Sequence, residues 1–183
     1  FKALQAGTSH NLGQNFAKAF DVKFTNKNNE LEYVYATSWG VSTRLMGGLI
    51  MAHSDDHGLV LPPALAPLHL VVVPIFKTNE DLDQILGALQ PALDQLKASK
   101  LQIKSDFLGT YELPYKVKID DDDQKSPGRK FNEWELKGVP IRIAVGKRDL
   151  EQGQVELFRR DTMEKKLVKL ENLAEEIQTL LLE

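Results

Sequence analysis

The chain has 183 residues, 42% hydrophobic and 27% charged, with a formal net charge of −3 and no cysteine. This balance suits one or two globular domains and excludes a disulfide framework, a thiolate metal centre and wholesale disorder. No apolar run reaches the roughly 18 residues that a bilayer span needs, so no membrane partner is expected, and the absence of cysteine suits a reducing, cytoplasmic setting.

The sequence opens at Phe1 with no initiator Met, as expected of a piece of a longer chain. Asn11 to Phe20 sets Leu12, Phe16, Ala19 and Phe20 at helical spacing, and DVKFTN then turns extended before the polar turn NKNNE. LEYVYATSW (31–39) is rich in aromatic and β-branched residues and predicts a strand. Ser42 and Thr43 offer N-caps to a helix over RLMGGLIMAH (44–53), which Gly47 and Gly48 weaken by about 1 kcal/mol each relative to alanine. DDHG ends that helix, LVL forms a short strand, and PPALAP forbids regular structure, so a domain boundary is expected near residue 65.

LHLVVVPIF (68–76) is a continuous apolar run, the mark of a strand covered on both faces. A long amphipathic helix follows over 79–99, with Leu82, Ile85, Leu86, Leu89, Leu93 and Leu96 inward and a kink expected at Pro91. Extended pieces around LQIKSDF and YKVKID lead to the acidic run Asp120–Asp123, a solvated loop in this reading. Ser126-Pro127 opens the next helix and Lys137-Gly138 closes it. VPIRIAV is a second buried strand, QVELFRR and KKLVKL fit a hairpin, and ENLAEEIQTLLL is a terminal amphipathic helix. Strand and helix alternate, which predicts an α/β sheet with right-handed crossovers. Residues 125–169 carry an excess of basic side chains where a polyanion could dock, although a mixed solvated surface explains the charge equally well.

Three blocks carry more information than periodicity does: LQAGTSHNLGQNF (4–16), SWGVSTRLMGGLIMAHSDDHGLVLPP (38–63) and SPGRKFNEWELKGVPIRIAVGKRDLE (126–151). Together, and in this order, they resemble the prolyl-tRNA synthetases of the archaeal and eukaryotic-like type. The resemblance implies the end of a class II antiparallel-sheet catalytic domain over residues 1–65, carrying motif 3 but not motifs 1 and 2. An α/β anticodon-binding domain with a mixed sheet flanked by helices would follow over 66–168, and 169–183 would be a helix leading into a further domain. It also implies ATP and Mg²⁺ for activating proline, tRNA(Pro) as acceptor, and a homodimeric parent enzyme. Such a fragment would be inactive by itself.

By the same resemblance, Arg44 is the motif 3 arginine, placed against ATP together with Gln5, Ser42 and Thr43. Thr8 and His10 of the TSH loop line the proline pocket, with Trp39 as an apolar wall. Proline anticodons carry two guanines, whose recognition needs acceptors for N1–H and N2–H and donors for O6 and N7. Glu135, Arg142, Arg148 and Asp149 have those chemistries, while Lys130, Lys147, Arg159 and Arg160 would hold the RNA backbone. The sequence departs from the family pattern at Ser54, Ala64, Arg129 and Lys147, none of which is assigned to the chemistry of activation.

Two other readings stand beside this one. The downstream domain alone would be a non-catalytic RNA-binding module. His53 and His57, at i and i+4 on a helix with Asp55 or Asp56 nearby, could share a zinc ion, but Ser54 replaces the glutamate a zincin needs, so no metal site is assigned.

Overall fold

The computed structural model describes residues 3–182; Phe1, Lys2 and Glu183, the outer limits of the expected domains, lie outside the described residues. Its contacts divide the chain into two units, Phe1–Ala52 and His53–Glu183.

The first unit runs β1 (Thr8–Gly13), α1 (Asn15–Ala19), β2 (Lys23–Thr25), β3 (Leu31–Tyr33), β4 (Ala36–Gly40) and α2 (Arg44–Ala52). β1 pairs antiparallel with β4, and β2 with β3. The helix expected over 11–20 shrinks to α1 because residues up to Gly13 join the β1 ladder. There the Asn11 side chain accepts the Gly13 N–H at 3.0 Å, a local bond that competes with a helical turn. LEYVYATSW likewise splits in two, since β3 and β4 serve different partners. Among the described residues of this unit only Ala17 is buried, while Phe20, Tyr35, Trp39 and Val41 are exposed. A surface this apolar is built to be covered.

The second unit opens with a hairpin of β5 (Ser54–Asp55) and β6 (Gly58–Leu59), followed by β7 (Leu70–Ile75), α3 (Asn79–Ala98), β8 (Lys100–Ser105) and β9 (Gly109–Pro114). Then come β10 (Val117–Ile119), α4 (Pro127–Leu136), β11 (Ile141–Gly146), α5 (Lys147–Glu151), β12 (Gln154–Arg159), β13 (Lys165–Lys169), a 3₁₀ turn (Leu170–Asn172) and α6 (Leu173–Leu182). The main sheet has the order β10-β7-β11-β12-β13, with the first three strands parallel and the last two antiparallel. The alternating pattern predicts an α/β sheet, and the family resemblance implies that it is mixed, as it is. β8 and β9 form a separate hairpin, of which only the first strand was expected.

Helices cover both faces of the sheet. Leu70, Val72, Ile141, Ile143 and Val145 share one core with Ile85, Leu89, Leu93 and Leu96 of α3 and with Leu173, Ile177 and Leu181 of α6. On the other face Val71 and Val73 meet Phe131 and Trp134 of α4. Alternate residues of each strand thus serve opposite faces, and they are apolar except for Arg142 of β11, which is turned toward α4. α3 runs unbroken through Pro91.

The division at Ala52/His53 falls ahead of the proline-rich segment, where the boundary was expected. Residues 53–59 belong with the second unit because their hairpin packs backbone to backbone on the end of α4. A Cβ on Gly58 would lie 2.5 Å from the Leu136 Cα, and one on Gly138 would lie 2.6 Å from the Leu59 Cβ. Both glycines also have positive φ, +133° and +69°, a conformation that side chains disfavour. The terminal helix α6 packs into the second unit's core.

Candidate functional site

α4 is capped by Ser126, whose Oγ accepts the Arg129 N–H at 3.4 Å, and starts on Pro127. Its Phe131 and Glu135, one turn apart, both reach Arg142 on β11. The Glu135 carboxylate accepts from Arg142 Nη1 at 2.8 Å, and Glu156 of β12 lies 3.7 Å from Nη2. The guanidinium carbon sits 3.8 Å from the Phe131 ring centroid and 4.4 Å from that of Phe158, the β12 residue opposite Arg142 in the ladder. Arg142 is 3% exposed, and its Nε is buried without a hydrogen-bond partner among the described residues. Burial pushes the guanidinium pKa down, and the bond to Glu135 opposes that. Lys165 closes the row at 3.3 Å from Glu156. A carboxylate is therefore held by a planar cation that itself lies against two aromatic rings.

The turn after β11 carries Asp149, whose carboxylate accepts the Gly146 N–H at 2.8 Å, and the exposed Arg148. Lys147 is exposed and lies 3.6 Å from Asp81. The other expected RNA-facing cations sit differently. Lys130 is 2% exposed and donates to the Asp120 carbonyl at 2.8 Å, and Trp134 Nε1 binds the carboxylate of the same Asp120 at 2.6 Å. Arg159 pairs with Asp161 at 2.8 Å. Arg160, 1% exposed, is bidentate with Asp55 at 2.6 and 2.8 Å, and its guanidinium holds the Asp55 carboxyl well below the usual carboxylate range.

In the first unit, Gln5, Gly7, Thr8, Gly40, Ser42 and Arg44 line a cavity of about 230 Å³. Arg44 Nη1 donates to Gln5 Oε1 at 3.0 Å, and its backbone N–H to Ser42 Oγ at 3.3 Å. Arg44 begins α2, as the sequence predicts, with Thr43 just ahead of it. Thr8 pairs with Gly40 and His10 with Ser38, whereas Trp39 pairs with Ser9. The pleat thus puts Trp39 on the opposite face from Thr8 and His10, and it is 78% exposed. The three residues expected around one pocket are not brought together.

The histidine pair loses its helix. α2 stops at Ala52, His53 precedes β5, and His57 lies in the turn between β5 and β6. Asp55 is engaged by Arg160, and among the described residues no group of three His, Cys, Asp or Glu side chains could hold a metal ion. No described helix is long and apolar enough to cross a membrane. The sequence did not single out Phe131, Phe158 or Glu156. The alternation of Glu156 and Phe158 on β12, beside Arg142, was the available signal.

The second unit is an α/β domain with a mixed five-stranded sheet covered on both faces and, at one of them, an ion pair whose guanidinium lies against aromatic rings. Residues 69–180 match the family model described as an anticodon binding domain, and the chain belongs to that family. It is similar to the proline–tRNA ligase of Cytophaga hutchinsonii, 62% identical over 182 residues that make up 100% of this chain and 34% of that protein. The proline–tRNA ligase of Flavobacterium johnsoniae is 55% identical over 180 residues, 98% of this chain and 34% of its own. That of Christiangramia forsetii is 53% identical over 182 residues, with shares of 100% and 34%. The chain spans about a third of the length of these curated relatives.

Proposed function

We propose that this chain is part of a cytoplasmic proline–tRNA ligase, and that its second unit reads the anticodon of tRNA(Pro). The observation that carries the reading is the part-exposed Glu135 carboxylate held by Arg142, whose guanidinium lies against the Phe131 and Phe158 rings. A guanine calls for an acceptor at N1–H and N2–H and a donor at O6 and N7; the part-exposed Glu135 carboxylate offers the first, while Arg142, 3% exposed and bonded to it, fixes its direction. Asp149 and Arg148, on the neighbouring turn, offer the same two chemistries for the second guanine. Buried Lys130 supports the α4 scaffold through Asp120, while exposed Lys147 is left for phosphates.

The first unit contributes part of the site that activates proline with ATP. Arg44, presented by the first turn of α2 beside Gln5 and Ser42, offers a planar fixed charge to a phosphate or an adenine ring. Thr8 lines the same cavity, which has hydroxyl, amide and guanidinium groups and no carboxylate. That lining fits a polyphosphate, and Mg²⁺ would be carried on its oxygens. Thr43 precedes Arg44 at the helix start, and Thr8 and His10 lie on the face assigned to proline. The whole ligase would act as a homodimer.

Two variants of the intact ligase test the assignment. Arg44→Ala is expected to abolish proline-dependent ATP–pyrophosphate exchange, and near-normal exchange would defeat the motif 3 reading. Glu135→Ala is expected to depress aminoacylation of tRNA(Pro) while exchange survives, whereas equal loss of both activities would show the anticodon site to be elsewhere.

A further inference from the structure

Arg160 is among the most deeply buried side chains of the second unit, and it spends its donors on two elements far apart in sequence. Nη1 and Nη2 fork onto the Asp55 carboxylate at 2.8 and 2.6 Å, and Nε donates to the backbone carbonyl of Glu135 at 3.1 Å. The last carbonyls of a helix have no partner within the helix and its end frays unless something holds them. In α4 the carbonyl of Glu135, the residue whose carboxylate faces Arg142, accepts the Gly138 N–H of the closing turn at 3.0 Å, and Arg160 adds a second donor from outside the helix. The β5–β6 hairpin that supplies Asp55 presses on the same turn, with Gly58 against Leu136 and Leu59 against Gly138 at distances that leave no room for a Cβ.

We infer that Asp55 and Arg160 are positioning residues for Glu135: a buried clamp that fixes the last turn of α4, and with it the direction of the guanine-reading carboxylate. This rests on the reading of Glu135 as a guanine acceptor. Arginine is required because lysine cannot fork onto a carboxylate and still donate a third, fixed hydrogen bond. Asp55 is required because without it the guanidinium is a buried cation free to swing away from the Glu135 carbonyl. A phosphate-binding role for Arg160 would need an exposed head, and its head is covered.

The test compares intact-ligase variants on tRNA(Pro) transcripts carrying guanine or inosine at each of the two anticodon guanine positions. Inosine lacks the exocyclic amino group that a carboxylate reads. At the position read by Glu135, the unaltered enzyme should lose kcat/KM by ~5- to 100-fold with inosine. Glu135→Ala should erase that penalty. Asp55→Asn, close to isosteric, and Arg160→Lys should each shrink the inosine penalty by ~3-fold or more, since a carboxylate displaced by a fraction of an ångström loses much of its selectivity. Asp55→Glu, which keeps an acceptor for the fork, should restore part of it.

If Glu135→Ala erases the penalty while Asp55→Asn and Arg160→Lys retain it in full, the clamp is overturned and guanine reading stands. If Glu135→Ala leaves the penalty unchanged, the reading of Glu135 itself falls. A loss of kcat/KM equal on guanine and inosine transcripts, as a merely unfolded variant would give, also overturns the clamp.

Discussion

Replacing Arg142 with methionine keeps a long unbranched stem and removes the guanidinium from between Phe131 and Phe158. The stacking lost is worth ~0.5–2 kcal/mol per ring, and the charge-assisted bond to Glu135 ~1.5–3 kcal/mol. Against these stands the desolvation of a cation that is 3% exposed, a cost the methionine escapes. The Glu135 side chain, 21% exposed, can recover water once its partner is gone. Arg142→Met should therefore cost only about 1–2 kcal/mol. Glu135→Gln should cost more, about 2–3 kcal/mol, because it leaves the buried cation a neutral amide in place of its close counter-ion, with Glu156 at 3.7 Å as the remaining carboxylate among the described residues. The double variant strands no charge, so its cost should fall short of the sum by about 1 kcal/mol or more. Urea unfolding followed by Trp134 fluorescence in a Trp39→Phe background measures all three. Additivity within about 0.5 kcal/mol, or a larger loss for Arg142→Met than for Glu135→Gln, would refute the description of a desolvated, mutually dependent pair.

Lys130→Met should lower stability by about 1–3 kcal/mol, since it leaves the Asp120 carbonyl without its donor, and should leave the salt dependence of tRNA binding unchanged. A change in that slope would mean that Lys130 touches phosphate. Gly58→Ala should destabilise the second unit by about 2 kcal/mol or more, because its Cβ would overlap Leu136 backbone at positive φ, and near-neutral unfolding data would disprove the close approach. The Asp55 carboxyl is held below its ordinary range by Arg160, so the unfolded chain takes up that proton first. The stability it contributes is complete above pH ~4 and is lost as pH falls further. Asp55→Asn should flatten that acid limb. His69 is shifted down by burial, so from pH ~6.5 downward the unfolded state binds a proton that the native state refuses, and stability should already decline there. His69→Asn, which can still accept the Lys116 N–H that Nδ1 takes at 3.0 Å, should remove that decline in a series of urea midpoints against pH.

The second unit was legible wherever local rules and burial agree. LVVVP and IRIAV read as doubly buried strands because their residues serve two cores, and Ser126-Pro127 and Gly138 mark α4 because capping is local chemistry. The first unit was legible as motif and poorly legible as structure. Leu12 and Phe16 keep a helical spacing, yet Thr8–Gly13 is a strand because β4 supplies the partner, and no spacing rule anticipates a long-range ladder. β9 was missed because GTYELP contains glycine and proline and gains its order only from pairing with β8. At the site, residue type was legible and direction was not. Glu135 and Arg142 were identified for their chemistry, but that they bind one another depends on the crossing of α4 over β11.

The same distinction governs the basic stretch from 125 to 169. Its excess of positive charge suggests a surface for RNA, yet Lys130, Arg142 and Arg160 are 2%, 3% and 1% exposed and are committed to Asp120, Glu135 and Asp55. Adjacent Arg159 and Arg160 diverge in the same way, the first turned to Asp161 near the surface and the second buried under α4. Composition therefore overstates the charge available to phosphates. On the proposed anticodon-reading role, the buried cations would serve recognition indirectly: they hold a few acidic and aromatic groups in fixed directions, and selectivity between bases depends on that fixity more than on net charge.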